Sequence, residues 1–367
     1  MSFDEIKKNF GFGCMRLPMK NGEVDYDEFN RMIDAFLEAG FNYFDTAHGY
    51  IGGKSETAIR DCLSARYKRE DFVLADKLSD PYFEKEEDIL PLFESQLKLC
   101  GVEYFDFYLF HCLNRELYKK HKRCNAFETV KRLKEQGRVR HIAMSFHDTA
   151  DILDMILAEQ PFIEAVQLQI NYLDYDDPAV QSKACYDVAV KHGKKVIVME
   201  PVKGGTLVNL PEKAAAVLDG LNSGSYASVA LRYAASYPEV FMVLSGMGNM
   251  DMMRDNIASM KNFVPLDAAE LRATDRVREL IREYKRIPCT GCDYCAGQCP
   301  KQIPISKIFA EYNKYLSANC SRESAKTALH GIIESADECI GCGGCERICP
   351  QGIKIREQLK RISGDMK

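Results

Sequence analysis

Three observations predict an α/β fold: a (β/α)8 TIM barrel followed by a small α-helical iron–sulfur module. Eight strand-like segments alternate with helical ones between residues 10 and 263, polar residues close several of those strands, and a cysteine motif is duplicated near the end of the chain. Eight β–α units in about 250 residues is the size of such a barrel. An open doubly wound sheet is the alternative, but no Gly-x-Gly-x-x-Gly turn follows the first strand. The division between domains is placed at residues 1–285 and 286–367.

Phe10–Cys14 reads as the first strand. Asp25 stands as an N-cap with Glu28 three residues on, a variant of the capping box. Phe29, Met32, Ile33, Phe36 and Leu37 then recur at helical spacing until Gly40. Phe41–Asp45 is the second strand, and a helix follows from Ser55. Phe72–Lys77 is the third strand, before a helix over Asp88–Cys100. Phe105–His111 is apolar apart from Asp106 and its last residue, the mark of a strand buried on both faces. His141–Ser145, Ala165–Gln169, Val196–Glu200 and Val240–Ser245 complete the eight. Asp45, Lys77, His111, Ser145 and Gln169 each end one strand. In a barrel those ends open on one face, where catalytic groups collect. One chargeable residue closing an apolar strand means little, but Asp, Lys and His closing three in succession point to a site. A charged helix, Leu266–Lys285, hands over to the cysteine module.

The chain has 367 residues and 46% apolar content, enough for a large core beside a small second domain. A net charge of −5 gives no signal for nucleic acid. No apolar run has spanning length, so no membrane partner is expected, and residues 1–13 lack the apolar segment of a secretion signal. Of the fifteen cysteines, Cys14, Cys62, Cys100, Cys112, Cys124, Cys185 and Cys320 are scattered through core and helix positions. They read as reduced thiols, and a cytoplasmic location is expected.

The other eight form Cys289-x2-Cys292-x2-Cys295-x3-Cys299-Pro300 and Cys339-x2-Cys342-x2-Cys345-x3-Cys349-Pro350. This is the spacing that wraps thiolates around a [4Fe–4S] cluster, with the fourth cysteine reaching the other cluster of a pair. Cys289, Cys292, Cys295 and Cys349 are therefore assigned to one cluster, and Cys339, Cys342, Cys345 and Cys299 to a second. Zinc sites do not need the triplet followed by Cys-Pro, and disulfides would want an exported chain. The repeat continues in Ile303 and Ile305 against Ile353 and Ile355, as a duplicated half-module would. Ile305, Ile308, Phe309, Tyr312 and Leu316 mark a helix between the motifs, so the module is expected to be a helical ferredoxin-like one.

Phe44-Asp45-Thr46-Ala47-His48-Gly49-Tyr50, with Lys77 and His111 downstream, resembles the aldo/keto reductase signature. Gly11-Phe12-Gly13-Cys14-Met15-Arg16-Leu17-Pro18 resembles that family's first-strand motif. With the cysteine module, the chain is similar to the subgroup of aldo/keto reductases that carries a C-terminal ferredoxin-like domain. The resemblance implies a catalytic tetrad of Asp45, Tyr50, Lys77 and His111. Tyr50 would protonate the carbonyl oxygen, yet an ordinary tyrosine titrates near ~10, too weak an acid for that task. The ammonium of Lys77 favours the phenolate, Asp45 holds Lys77 charged, and His111 orients the carbonyl. His48 is expected to line the pocket and His147 to face the nicotinamide. His121, His141, His192 and His330 read as solvated or satisfied core residues.

The same resemblance implies a bound NAD(P)H. Ser145 and Gln169 would hold the nicotinamide amide. Gly204 and Gly205 would form the pyrophosphate-side loop, where glycine lets the backbone approach closely. Ser245, Gly246, Arg254 and Asn256 would form the adenosine side. Two departures matter. Met199 stands where relatives place a tyrosine that stacks on the nicotinamide. Gly246 and Met252 stand where relatives supply cations for a 2′-phosphate, with Arg254 as the nearby substitute. NADH is therefore slightly favoured over NADPH.

Hydride carries two electrons, while a cluster takes one at a time, and no residue in the sequence splits the pair. The leading expectation is an oxidoreductase acting on a small carbonyl or alcohol substrate, its clusters exchanging electrons with a flavoprotein or other electron-transfer partner. In a second reading the clusters feed electrons to the barrel's substrate. The alternative is an electron-transfer or redox-sensing subunit whose barrel is not the main catalyst. Four suitable residue types at the right strand ends argue against that alternative. The loops 112–124 and 209–225, which would select the substrate, carry no motif.

Overall fold

The computed structural model describes residues 3–221, 223–317 and 320–366. The alternating segments close into a barrel of eight parallel strands: β1 Phe10–Gly13, β2 Tyr43–Asp45, β3 Val73–Leu78, β4 Phe105–Leu113, β5 Val139–Phe146, β6 Ala165–Gln169, β7 Lys195–Met199 and β8 Val240–Ser245. Neighbours in sequence are neighbours in the barrel, and β8 closes on β1 through the register Phe10↔Val243 to Phe12↔Ser245. This is the short right-handed β–α–β connection repeated.

Strand periodicity splits the apolar residues into two layers. Tyr43, Val73, Ala75, Phe107, Leu109, Ala143, Ala165, Ile197, Met242 and Leu244 fill the barrel interior, joined by Phe3. Residues of the opposite phase, such as Phe12, Phe44, Leu74, Tyr108, Met144 and Val166, pack against the surrounding helices. The helix Tyr26–Glu38 shows why the sequence turns where it does. The Asp25 carboxylate accepts from the Glu28 amide at 3.0 Å, and Phe29, Met32, Ile33 and Phe36 are buried. Glu28 does not return the expected bond to its cap. Its carboxylate accepts instead from the amide of Met250 at 2.9 Å.

β4 runs two residues past the expected end at His111. Its pairing with β5 shifts register between Phe110 and Leu113, and Cys112 sits at a positive φ of 54°. Bulges of this kind re-aim side chains beside functional sites.

The chain divides into two compact units, and the division differs from the expected one at 285/286. The first comprises residues up to Pro201 with Ala227–Leu266, and the second Val202–Tyr226 with Asp267 onward. The physical reason lies in two helices, Glu212–Asp219 and Ala268–Glu283, which pack on each other and belong with the cysteine module. Within that unit, helices Ile305–Leu316, Arg322–Leu329 and Ile355–Met366 enclose a small core that includes Ile287, Ile308, Phe309, Tyr312, Leu329, Leu359 and Ile362. Among the described residues no helix is long and apolar enough to cross a membrane.

Candidate active site and cysteine-lined cavities

The barrel site follows from the period of two. Asp45 follows Tyr43, Lys77 follows Ala75, His111 follows Leu109, Ser145 follows Ala143 and Gln169 is four on from Ala165. Each is in phase with the interior residues and lies at or near the C-terminal end of its strand. The strands therefore aim these polar side chains into the mouth of the barrel. Tyr50 comes from the loop after β2, in a 3-10 turn Tyr50–Gly53.

The structure brings the four tetrad candidates together. Lys77 Nζ lies 2.6 Å from Asp45 Oδ1 and also donates to the carbonyl of Thr46. The same ammonium stands 4.8 Å from the centre of the Tyr50 ring. The rings of Tyr50 and His111 lie edge to face with centroids 6.0 Å apart. All four residues are buried. Burial alone would depress the Lys77 ammonium, but Asp45, Tyr50 and Asp76 outweigh it and hold it above its ordinary value. Burial pushes the Asp45 carboxyl up, against the pull of Lys77.

Tyr50 departs from expectation. Burial pushes its phenol up to about 12, and the opposing pull of Lys77 does not overcome it. In a site this dry, desolvation of the phenolate is the larger effect. Burial first, and then the charge of Lys77, hold His111 well below its ordinary value, so its imidazole is neutral. His147 is likewise depressed by burial, to about 4.

Several site residues escaped sequence reasoning. Ser79 Oγ is 2.6 Å from His111 Nδ1 and fixes that ring. Gln167, two residues before Gln169, favours the charged form of Asp45. Both share the inward phase of a neighbour already identified, which was the available signal. A third group lies behind Lys77. Oxygens of Glu56 and Asp76 and the sulfur of Cys100 lie within 4.8 Å of one another, all buried. His48 Nδ1 meets Glu56 Oε2 at 2.9 Å, so His48 is tied to this group. Burial, and then the charge of Glu56, push the Asp76 carboxyl well up, as expected of two buried carboxylates sharing a proton.

The residues expected to hold the nucleotide are only partly gathered. Ser145 Oγ accepts from the Cys112 amide at 2.7 Å, and Gln169 Nε2 donates to Asp174 at 2.6 Å. Both face inward, beside the tetrad strands. Ser245 follows Leu244 and so belongs to the outer phase of β8. There it accepts from Asn256 Nδ2 at 2.9 Å, and both are buried. Asn256, on the helix Met250–Met260, thus spends its amide on the end of β8. Arg254 is exposed, with Asp251 at 3.9 Å. Gly246 lies against the side chain of Arg16, a cation the sequence reading passed over. Gly204 and Gly205 belong to the second unit. The close backbone approach at Gly204 is to Thr290, whose carbonyl would sit 2.3 Å from any Cβ placed there.

Within the second unit the eight motif cysteines form two sets. One cavity, of about 350 Å³ of empty space, is lined by Cys289, Cys292, Cys295 and Cys349, with Asp293 and Ser306 beside them. The other, of about 340 Å³, is lined by Cys299, Cys339, Cys342 and Cys345, with Lys301, Ile340 and Arg356. Each set joins three cysteines of one motif to the fourth of the other. Four thiols converging on a cavity, with no His or second carboxylate lining it among the described residues, fit the donor set of an iron–sulfur cluster.

Comparison with known proteins agrees with both halves. The aldo/keto reductase family model matches residues 9–279, and a 4Fe-4S dicluster domain model matches residues 288–353. An aldo-keto reductase of Mycolicibacterium smegmatis is 28% identical over 204 residues, covering 55% of this chain and 66% of that protein. The L-galactose dehydrogenase of Arabidopsis thaliana is 23% identical over 296 residues, covering 74% and 91%. Among solved structures, an aldo-keto reductase of Bacillus halodurans in its holo form superposes with TM-score 0.61 at 23% identity, covering 73% of this chain and 91% of that one. One from Klebsiella pneumoniae, in complex with NADP and acetate, gives 0.60 at 18%, covering 74% and 91%.

Proposed function

This chain belongs to the aldo/keto reductase family, and we propose that it reduces a small carbonyl compound, or oxidises the corresponding alcohol, with a nicotinamide nucleotide. Its second unit is read as holding two [4Fe–4S] clusters that exchange electrons with a separate carrier such as a flavoprotein. When bound, the nucleotide supplies or accepts hydride, and the clusters supply or accept single electrons.

The observation that carries the reading is the buried Asp45–Lys77 pair set against Tyr50, with neutral His111 edge to face with the same ring. Tyr50 keeps its proton across the ordinary pH range because burial disfavours the phenolate, and so is charged for transfer to a carbonyl oxygen. As that proton leaves, the Lys77 ammonium stabilises the phenolate left behind, and Asp45 keeps the ammonium in place. His111, held by Ser79 and neutral, can donate a hydrogen bond to the same oxygen and fix its angle. Ser145 and Gln169 are the inward polar groups available to the nicotinamide amide. Gly246 and Met252 carry no charge, and Arg254 lies near Asp251, which keeps NADH slightly favoured.

The test is Tyr50→Phe. Loss of general acid catalysis should lower carbonyl reduction by roughly 10²–10⁴-fold, with nucleotide affinity nearly unchanged. Unchanged turnover would remove Tyr50 from this role.

A further inference from the structure

We propose that the cluster held by Cys299, Cys339, Cys342 and Cys345 is the electron port of this chain, and that the surface around Ile340 docks a redox protein through an acidic face. The proposal rests on the cluster reading above and assigns the two clusters different tasks.

The duplicated motifs act as internal controls for each other. Thr290 and Ile340 occupy the same place, one residue after the first cysteine of each copy. Thr290 is 3% exposed. The chain's own segment backs onto it at Gly204, closely enough that no side chain fits between. Ile340 is 63% exposed, and Cys342 beside it is exposed as well. A single apolar residue on a surface is ordinary. Its position gives this one meaning, because the twin position is covered by protein and this one is bare.

Charge separates the copies further. The second cavity is lined by Lys301 and Arg356 and by no carboxylate. Arg347 donates to the carbonyl of Cys342 at 3.2 Å, and Arg356 to that of Gly341 at 3.1 Å, so both guanidinium groups lie on the Ile340 loop. Glu346 is paired with Arg356 at 2.7 Å, which leaves Asp337 and Glu338 as the exposed acids just before this motif. The first cavity is lined by Asp293 and, among the described residues, by no Lys or Arg. Residues 286–367 hold twelve Lys and Arg against nine Asp and Glu, in a chain whose net charge is −5.

Reducing a cluster adds a negative charge, and nearby cations favour that form. An electron in the pair therefore rests on the second cluster, the one that reaches the surface. A partner meeting a bare isoleucine ringed by Lys301, Arg347 and Arg356 needs an apolar spot ringed by carboxylates.

The experiment uses full-length, anaerobically prepared protein, with iron counted first. The dithionite-reduced protein is mixed rapidly with hexacyanoferrate(III), which takes one electron from one reduced cluster and becomes hexacyanoferrate(II). A parallel reaction uses hexaammineruthenium(III), which takes one electron in the same way. Freeze-quenched EPR follows each cluster, and Cys342→Ser assigns the second cluster's signal. The expected result is that, after one equivalent of oxidant, the electron that remains rests on the second cluster, and that the anionic reaction slows several-fold as salt is raised. Lys301→Glu should slow the anionic reaction several-fold and speed the cationic one, with EPR signals and iron content unchanged. A remaining electron on the first cluster, or rates indifferent to both salt and Lys301→Glu, would overturn the proposal. A chain that binds no iron would instead remove the cluster reading itself, and the port with it.

Discussion

The barrel site and the cysteine module hold reactive groups in opposite ways. In the barrel, Asp45, Lys77 and His111 come from three strands, and the Asp45–Lys77 bond alone spans 32 positions of sequence. Their places are set by an extensive core of aromatic and aliphatic residues. In the module, three thiols of each set lie within seven residues and the fourth crosses from the other copy. The thiols surround cavities at the heart of a core that is much smaller. A small unit with ligand sites at its centre depends on the ligand for its fold. The barrel is a scaffold carrying a site, whereas the module is a site that makes its own scaffold.

The strongest way to break that comparison is to remove the iron. Anaerobic chelation should strip amide protection from the helix Ile305–Leu316 and expose the module to protease, while the strands β3 to β6 keep their slow exchange. Hydrogen exchange read by mass spectrometry checks this directly, and it suits a chain that contains no tryptophan. Retained protection at 305–316 would make the module a preformed scaffold like the barrel.

A smaller effect is expected inside the barrel. Lys77→Met leaves Asp45 buried without its partner, and breaking such a pair costs about 3–5 kcal/mol. Part of that cost returns if Asp45 takes up a proton, towards which burial already pushes it. The double change Asp45→Asn with Lys77→Met should therefore be less destabilised than the sum of the two single changes. Urea unfolding of the four proteins measures the coupling, and additivity would mean the pair contributes nothing to stability.

The same contrast explains what was legible in the sequence. The cysteine motifs announce their chemistry through local spacing, and the crossed sets of four follow from the fourth cysteine. The eight strands were legible from alternation, with ends displaced by a residue or two, as where β4 continues through the bulge at Cys112. Asp45, Lys77 and His111 could be placed because each ends a strand. Ser245 and Asn256 could not, since their fate turned on the phase of β8, which only the packing of Met242 and Leu244 reveals. Tyr50 was legible as a residue but not as an acid. Local sequence shows a lysine nearby, whereas the cost of burying a phenolate is a property of the whole enclosure. That Glu212–Asp219 groups with the second compact unit was not legible for the same reason, because its packing on Ala268–Glu283 is non-local.

That enclosure gives the last and mildest test. In the proposed reaction, alcohol oxidation uses Tyr50 as a base and so draws on the phenolate, whereas carbonyl reduction draws on the phenol. Folding raises the Tyr50 pKa from near 10 to about 12. The stability this contributes is complete below pH ~10 and is lost as pH rises towards ~12. Below both values the phenolate fraction grows about tenfold per pH unit. The kcat/KM for alcohol oxidation, which reports the free enzyme, should climb at about that slope from pH 7 to pH 9, while kcat/KM for reduction stays flat. If the pull of Lys77 outweighed burial, the oxidation curve would level off within that window. Because three of the tetrad candidates stand on barrel strands and Tyr50 on the loop directly after β2, the slope should also survive chelation of the iron. Its loss on chelation would show that the barrel's electrostatics depend on the module.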